Sequence, residues 1–247
     1  MRTSNKILLS VFLAAVLILA GIHIALYAKL KQGDFIPAKE MWKLDFTRHE
    51  LSRVKYILAK GMDNITIIPS DTCWLEIEKN NSYHFPSSIR YQVKGDSLIM
   101  SGDTTITRND GSSQVQKSWT NVNIYLPYGA SIKGDNSEFT IKGSTDSSKA
   151  LSFDITLDHE GKVHFAENEW KDSSSRFFKI VNLRADHSSG IELAKYAVVD
   201  EMNLVLTTSS FEDKNAVINT GSIQADQKST LALNGGNLRI LDHRKEP

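Results

Sequence analysis

The chain has 247 residues, with 29 basic and 29 acidic side chains and one cysteine. That length admits one moderately large domain or two small ones, and 40% apolar residues suffice for a core, which excludes wholesale disorder. A single cysteine excludes an internal disulfide framework and a cysteine-rich zinc site, and zero net charge speaks against a nucleic-acid partner, whose phosphates require a basic surface.

Residues 7–28 (ILLSVFLAAVLILAGIHIALYA) contain no Asp, Glu, Lys or Arg. As a helix they span about 33 Å, which matches a hydrocarbon core of roughly 30 Å. Arg2 and Lys6 precede the run, Lys29 and Lys31 follow it, and Tyr27 stands where an interfacial aromatic is favoured. His23 lies close enough to the end of the run to approach the headgroups. No acidic residue occurs in residues 1–31, so the rest of the chain is net acidic. The expectation is an uncleaved transmembrane anchor at 7–28, with 1–6 as a short cytoplasmic tail and the remainder outside the cytoplasm. The rival is a cleaved signal peptide and a secreted product. The run is long for a signal core of roughly 7–15 residues, and no A-x-A site closes it. No cysteine stands at its end to carry a lipoprotein anchor. A buried core helix is disfavoured at the start of an otherwise strand-like chain.

Residues 29–50 read as a polar connector broken by Pro37, or as a cap in which Met41, Trp42, Leu44 and Phe46 close one end of the domain. Strand texture begins at 51–60. Residues 64–68 (NITII) end at Pro69. In 73–78 (CWLEIE), Trp74 is opposite in phase to Leu75 and Ile77. Residues 89–93 alternate cleanly, Gly95-Asp96 is a turn, and 97–100 and 104–107 are further short strands. A turn follows at 111–113. Val122, Ile124 and Leu126 share one face of 121–126 (NVNIYL) before Pro127. These are period-two signals separated by turn residues. No stretch after residue 60 forms a convincing amphipathic helix. Residues 195–203 come nearest, and Val198-Val199 favours a strand.

After Pro127 the segments shorten and apolar pairs recur two residues apart. They are Phe139/Ile141, Phe153/Ile155, Val163/Phe165, Phe178/Ile180, Ile191/Leu193, Leu204/Leu206, Leu231/Leu233 and Leu238/Ile240, with Val217, Ile218 and Ile223 between the sixth and seventh. Phe178, Ile191, Leu204 and Val217 are spaced evenly by thirteen. Such a repeat fits a sandwich meander or a coil of parallel strands. Two considerations favour the coil. The spacing segments lack an obvious run of two-residue Asn-Gly or Asp-Gly hairpin turns, and strands offering two or three inward residues need neighbours above and below to bury a continuous core. The Trp-bearing first half (Trp42, Trp74, Trp119) would cap one end, and the polar tail 242–247 would shield the other edge.

The segments RVKYILAKGMDNITIIPSDTCWLEIEKN, IRYQVKGDSLIM and NVNIYLPYGASIKGDNSEFTIKG, followed by many short rungs, resemble the bacterial family named putative auto-transporter adhesin, head GIN domain. The matching features are the G-D-S-L-I step within 94–99 and the V-x-I-x-L-P strand at 122–127, with Gly129-Ala130 after it. The likeness covers roughly residues 50–240. It implies a right-handed coil of β-strands outside the cytoplasmic membrane of a bacterium, with no catalytic motif to transfer. Two features depart from the family pattern. The chain keeps a long apolar segment in place of a lipoprotein cysteine, and Ser and Asp stand where glycine-rich rung turns are usual.

No G-x-S-x-G, H-E-x-x-H, P-loop or dinucleotide glycine pattern occurs. Asp154, Asp158, His159, Glu160 and His164 gather metal-ligand types. Yet 158–161 reads as a turn, and His164 points away from Val163 and Phe165 toward solvent, so no metal role is assigned. Cys73 has no nearby histidine to activate it and reads as a buried thiol. Asp186-His187-Ser188 has the residue types of a triad, but adjacency is not triad geometry. The turns at 134–137, 143–148 and 172–175 lack EF-hand spacing and read as solvated loops. Glu167 and Glu169 flank Trp170, but a glycosidase needs two carboxylates at a defined separation, and the sequence singles out no pair. Trp119 and Trp170 are the candidate ligand surface, weighed against the commoner packed tryptophan.

The sequence therefore predicts an all-β chain: a right-handed parallel β-helix or solenoid-like domain at 51–241, preceded by one N-terminal transmembrane helix. The expected role is non-catalytic, in binding, adhesion or structure at the cell envelope. Expected partners are the bilayer through 7–28 and an envelope protein or glycan. No cofactor, metal or nucleic acid is expected. The alternatives are a sensory or regulatory partner-binding protein and, more remotely, a polysaccharide-processing enzyme.

Overall fold

The computed structural model of the protein describes residues 3–31, 45–79, 89–102, 104–107, 113–166, 174–234 and 241–243. It divides into two units, Met1–Asp45 and Phe46–Pro247.

The first unit contains helix α1 (Thr3–Lys31). Its stretch Val11–Lys29 has a mean hydropathy of 2.4, and none of it is buried against protein. Val11, Phe12, Leu13, Leu17, Ile18 and Ile24 are all exposed. A helix apolar on every side satisfies its backbone internally and leaves only its side chains for the surroundings, which suits lipid. His23 Nδ1 lies 3.0 Å from the Leu19 carbonyl, so that nitrogen is met within the helix. Lys29 and Lys31 occupy the last turn, where cations complement the helix dipole. The helix is long and apolar enough to cross a membrane, and it fits a retained anchor and a cleavable signal equally.

The second unit is built of β-strands. In chain order these are β1 (Phe46–Glu50), β2 (Tyr56–Lys60), β3 (Ile65–Pro69), β4 (Trp74–Glu78), β5 (Arg90–Lys94), β6 (Ser97–Ser101), β7 (Thr104–Thr107), β8 (Ser113–Gln116) and β9 (Val122–Leu126). There follow β10 (Ala130–Asp135), β11 (Glu138–Ile141), β12 (Leu151–Asp158), β13 (Lys162–Phe165), β14 (Arg176–Ala185), β15 (Gly190–Leu193), β16 (Ala197–Leu206), β17 (Ser210–Asp213), β18 (Val217–Ala225), β19 (Thr230–Ala232) and β20 (Leu241–His243). They form two large sheets, β1-β4-β9-β3-β11-β13-β15-β17-β19 (sheet A) and β20-β18-β16-β14-β12-β10-β2-β6-β5 (sheet B), with β7-β8 as a separate antiparallel pair. From β10 onward the chain alternates between the sheets, and every neighbouring pair is parallel. The domain is thus β-rich, mostly parallel and solenoid-like, as the recurring short strands predict.

Among the described residues, antiparallel pairing of strands occurs in the N-terminal portion, β1 with β4, β4 with β9, β5 with β6, and β7 with β8, and a single antiparallel bridge joins Ser144 to Phe177 further on. Phe46–Glu50, expected within the connector or cap, forms β1 on the edge of sheet A, so the compact unit begins before residue 51. Asp242 and His243, expected in the polar tail, belong to β20, which pairs with β18. Met41, Trp42 and Leu44, the turn at 111–112, Leu238/Ile240 and residues 244–247 lie outside the described residues.

The chain does not lay down its rungs in order. β2 and β3 form a rung flanked on one side by β6 and β9 and on the other by β10 and β11. To reach β10 from β9 the chain must step past them. It does so through Pro127, Tyr128 and Gly129, with the Tyr128 hydroxyl accepting a hydrogen bond from the Val54 amide at 2.8 Å. A Cβ on Gly129 would sit 1.9 Å from the main-chain oxygen of Ser152, so the crossing fits only glycine.

The core lies between the sheets and is filled by fully buried Phe139, Phe153, Phe165, Phe178 and Phe211 with aliphatic neighbours. Phe165 and Phe178 meet edge to face, with centroids 5.4 Å apart. The predicted pair Phe178/Ile180 requires correction: Phe178 and Val181 are buried, whereas Ile180 is only partly so. An extra residue in β14 shifts the register against β12. Two consecutive residues also face outward at Asp200-Glu201 in β16 and Asn219-Thr220 in β18. The displaced phase therefore runs through three strands, as a bulge does when it is propagated by parallel stacking. The thirteen-residue spacing does not survive either, since Val217 is 50% exposed. The repeat seen in the structure is a full rung: Ile191, Phe211 and Leu231 (twenty apart) are directly in register.

Two polar columns hold the rungs in place. At the turn from sheet B to sheet A, Ser189 and Ser209 donate from Oγ to the carbonyls of Asp186 (2.5 Å) and Thr207 (2.9 Å), and Ser137 does the same to Asp135 (3.0 Å). All three serines are buried, and a buried hydroxyl needs such a partner. On the outer face of sheet B, Asn182 donates to Asp154, Asn203 to Asn182, and Ser222 to Asn203, at 2.8–3.0 Å. This ladder satisfies side chains that parallel stacking forces into register.

Candidate functional site

The outward positions of sheet A carry an aromatic cluster near the antiparallel end. Trp74 on β4 and Tyr125 on β9 are opposed in the antiparallel pair, and their rings stack at 4.2 Å with a 19° tilt. The Arg48 guanidinium on β1 lies 4.1 Å from the Trp74 ring centre, a favourable cation–π distance. Glu76 accepts from Trp74 Nε1 (3.3 Å), the Tyr125 hydroxyl (3.0 Å) and Asn123 Nδ2 (3.4 Å). Burial, and then the hydrogen bond and negative charge of Glu76, push the Tyr125 phenol up to about 12 against a weaker opposing effect of Arg48.

Tyr125 is paired in turn with Ile68 on β3. Ile68 opens a cleft of about 670 Å³ at the corner where sheet A returns to sheet B. Its wall of Ile68, Pro69, Leu126 and Pro127 faces Ser144, Thr145, Ser148, Lys142, Lys149 and Arg176. The far side exists because the β11–β12 connection carries a short 3₁₀ turn, Ser147–Lys149, N-capped by Asp146. Gly143 lets that connection lie against Phe178, whose ring would come within 2.8 Å of a Cβ there. The volume falls within the range of small-ligand pockets.

Two carboxylates line this cleft, Asp71 and Asp146. Asp146 accepts from the Ser148 hydroxyl (2.7 Å) and amide (2.9 Å), which hold its carboxyl below the usual value. A glycosidase acid requires the opposite shift. Asp71 lies 3.6 Å from Lys149 Nζ on an open surface. Cys73 is half-buried rather than fully buried, and burial pushes its thiol up, against the direction a nucleophile needs.

Of the tryptophans singled out by sequence, Trp119 is 62% exposed, with its carbonyl accepting from Asn64 Nδ2 at 3.3 Å. Trp170 lies outside the described residues, as do Glu167 and Glu169. The metal-ligand types gathered in sequence at Asp154, Asp158, His159, Glu160 and His164 do not all converge. Asp154 belongs to the ladder on sheet B, and His164 lies on the outer face of sheet A between Glu138 (3.4 Å) and Glu192 (3.6 Å). His159 and Glu160 occupy the expected turn, both with positive φ. Sequence reasoning gives Trp74 a capping role and Tyr125 none, although their phase opposite Leu75, Ile77, Val122 and Ile124 places both outward.

No family model matches the chain, and no curated protein matches it. Among solved structures it is similar to a "putative adhesin" from Parabacteroides distasonis ATCC 8503, at 14% identity and a TM-score of 0.54, over 81% of this chain and 75% of that one. It is also similar to a "putative lipid binding protein" from the same organism (10% identity, TM-score 0.48, 82% and 76%) and a "putative adhesin" from Parabacteroides merdae ATCC 43184 (14%, 0.43, 74% and 81%). At such identities the likeness concerns architecture alone, and by its TM-score the first of the three carries it. The chain shares its overall architecture with that first structure.

Proposed function

We propose that the chain is a non-catalytic binding domain of the bacterial cell envelope, of head GIN type, tethered to the cytoplasmic membrane by residues 7–28 and displayed on its outer side. The anchor is retained. The domain is a right-handed β-helix, in keeping with the strong right-handed preference of parallel crossovers. Its ligand is a short envelope glycan held in the cleft beside Ile68. The carrying observation is the lining of that cleft, which combines the apolar Ile68, Pro69, Leu126 and Pro127 with hydroxyls and cations. Sugars present apolar faces and polar edges together, and this lining meets both. Trp119 offers a second, separate contact surface.

The test uses the full chain in nanodiscs, titrated with oligosaccharides released from the envelope and followed by calorimetry. Saturable binding that weakens at least about tenfold in a Lys142→Ala/Lys149→Ala variant is expected. Binding indifferent to both lysines would remove the cleft from the account. Loss on Trp119→Ala alone would transfer recognition to the other corner.

A further inference from the structure

The turn from sheet B to sheet A recurs once per rung, and in three successive rungs it gathers Asp135, Asp158, His159 and His187. His159 Nδ1 lies 2.8 Å from Asp135 Oδ1 and 3.6 Å from Asp158 Oδ2. His187 Nδ1 lies 2.6 Å from Asp158 Oδ1. The two imidazoles are stacked one rung apart, with centroids separated by 5.2 Å and planes 13° apart. Ligand atoms of Asp158, His159 and His187 all fall within 4.8 Å of one another. None of these residues belongs to the cleft or to the aromatic cluster.

The backbone fixes this arrangement. His159 and His187 both adopt positive φ (47° and 51°), so each side chain leaves its turn in the same direction. The turns are tied together by Asn136 N donating to Asp158 O and Glu160 N donating to His187 O, both at 3.0 Å. Both rings turn the same nitrogen toward the same carboxylate, so their donor sites converge. His164 provides the contrast: it faces Glu138 with Nε2 and Glu192 with Nδ1, opposite ring edges that cannot share one ion.

We propose that Asp158, His159 and His187, with Asp135 as a fourth ligand, form a surface site for a divalent transition metal of the zinc class. Two neutral imidazoles and two carboxylates supply the nitrogen and oxygen donors such ions prefer, and the carboxylates balance the ion's charge. Bond lengths of about 2.0–2.2 Å in tetrahedral geometry set nitrogen and oxygen roughly 3.3 Å apart. The 2.8 and 2.6 Å contacts reach that spacing by opening about 0.5–0.7 Å, and the 3.6 Å contact by closing about 0.3 Å. Lys60 Nζ, 3.4 Å from Asp135 Oδ2, competes for that carboxylate and makes Asp135 the weakest ligand. Asp186, also on this ridge, is engaged by Arg184 at 3.0 Å. A metal here joins three rungs through their turns, independently of any ligand in the cleft.

The experiment uses the untagged full chain in nanodiscs, stripped with chelator and titrated with Zn²⁺. One saturable equivalent per chain is expected, with Co²⁺ giving the visible bands of a tetrahedral site. His159→Asn and His187→Asn are each expected to weaken uptake at least about tenfold, while His164→Asn leaves it unchanged. Nitrogen NMR of the wild-type chain supplies a readout that needs no variant: the Nδ1 resonances of His159 and His187 shift together on adding Zn²⁺. Absence of saturable uptake overturns the proposal. So does uptake that survives the His159→Asn/His187→Asn pair, or Zn²⁺ shifts confined to other histidines.

Discussion

Trp74 and Tyr125 face one another across two strands of opposite direction, and their stacked rings close the outer surface where the parallel stack ends. One carboxylate, Glu76, hydrogen-bonds to both. The pair joins the antiparallel end to the first parallel rung, because β9 is shared by both kinds of pairing.

This arrangement has a signature at high pH. Tyr125 titrates at about 12 in the folded chain against an ordinary 10.0. A raised folded-state value contributes stability that is complete below pH 10 and is lost as pH rises through about 12. The melting temperature of the wild type should therefore fall more steeply across that interval than that of Tyr125→Phe. Parallel curves for the two proteins would show that burial and Glu76 together do not hold the phenol protonated.

Gly129 tests the out-of-order connection. An alanine there places its Cβ against the Ser152 carbonyl, so the main chain itself must move, at a cost of about 1–3 kcal/mol or more. Gly95, in the turn between β5 and β6, has positive φ and open space around it, so Gly95→Ala carries only backbone strain of about 1–2 kcal/mol. Denaturant unfolding should rank Gly129→Ala as the more damaging. A harmless alanine at 129 would mean the crossing follows another path.

Buried side chains of the stack should separate by mechanism. Phe178→Ala removes a fully buried ring and is expected to cost about 3–5 kcal/mol. Ser189→Ala removes one hydrogen bond to a turn carbonyl, for about 1 kcal/mol. Equal losses in thermal or chemical unfolding would contradict this division between packing and turn closure.

The anchor is tested by composition. Leu17→Arg places a charge at the middle of the apolar run, which disfavours insertion by about 2.5–3.5 kcal/mol. In membranes washed at alkaline pH the wild type should stay with the lipid and the variant should be released. Mass spectrometry of the wild type should find residues 1–28 still attached. A mature chain lacking them would convert the anchor into a signal.

Much of the architecture was legible because period-two alternation reports which side chains are inward. Val122, Ile124 and Leu126 were assigned to one face and are fully buried. The pair Phe178/Ile180 misled because a bulge changes phase without changing composition, and only the neighbouring strands reveal it. The same alternation carried the outward placement of Trp74 and Tyr125, but their contact arises from the order of strands in space. The cleft was not legible, since its two walls come from connections far apart in the chain. His159 and His187 meet only because their turns stack, a vertical relationship that sequence spacing obscures when rung lengths differ.

The displaced rung also governs how the chain can assemble. Ile57 is matched on one side with Leu98 and on the other with Ile132, both supplied later during synthesis. The earliest parallel strands to leave the ribosome must wait, unpaired at both borders, for partners that arrive from two different later stretches. Winding cannot advance steadily from the first turn to the last. It begins by enclosing a segment already made, and such long-range closure slows folding.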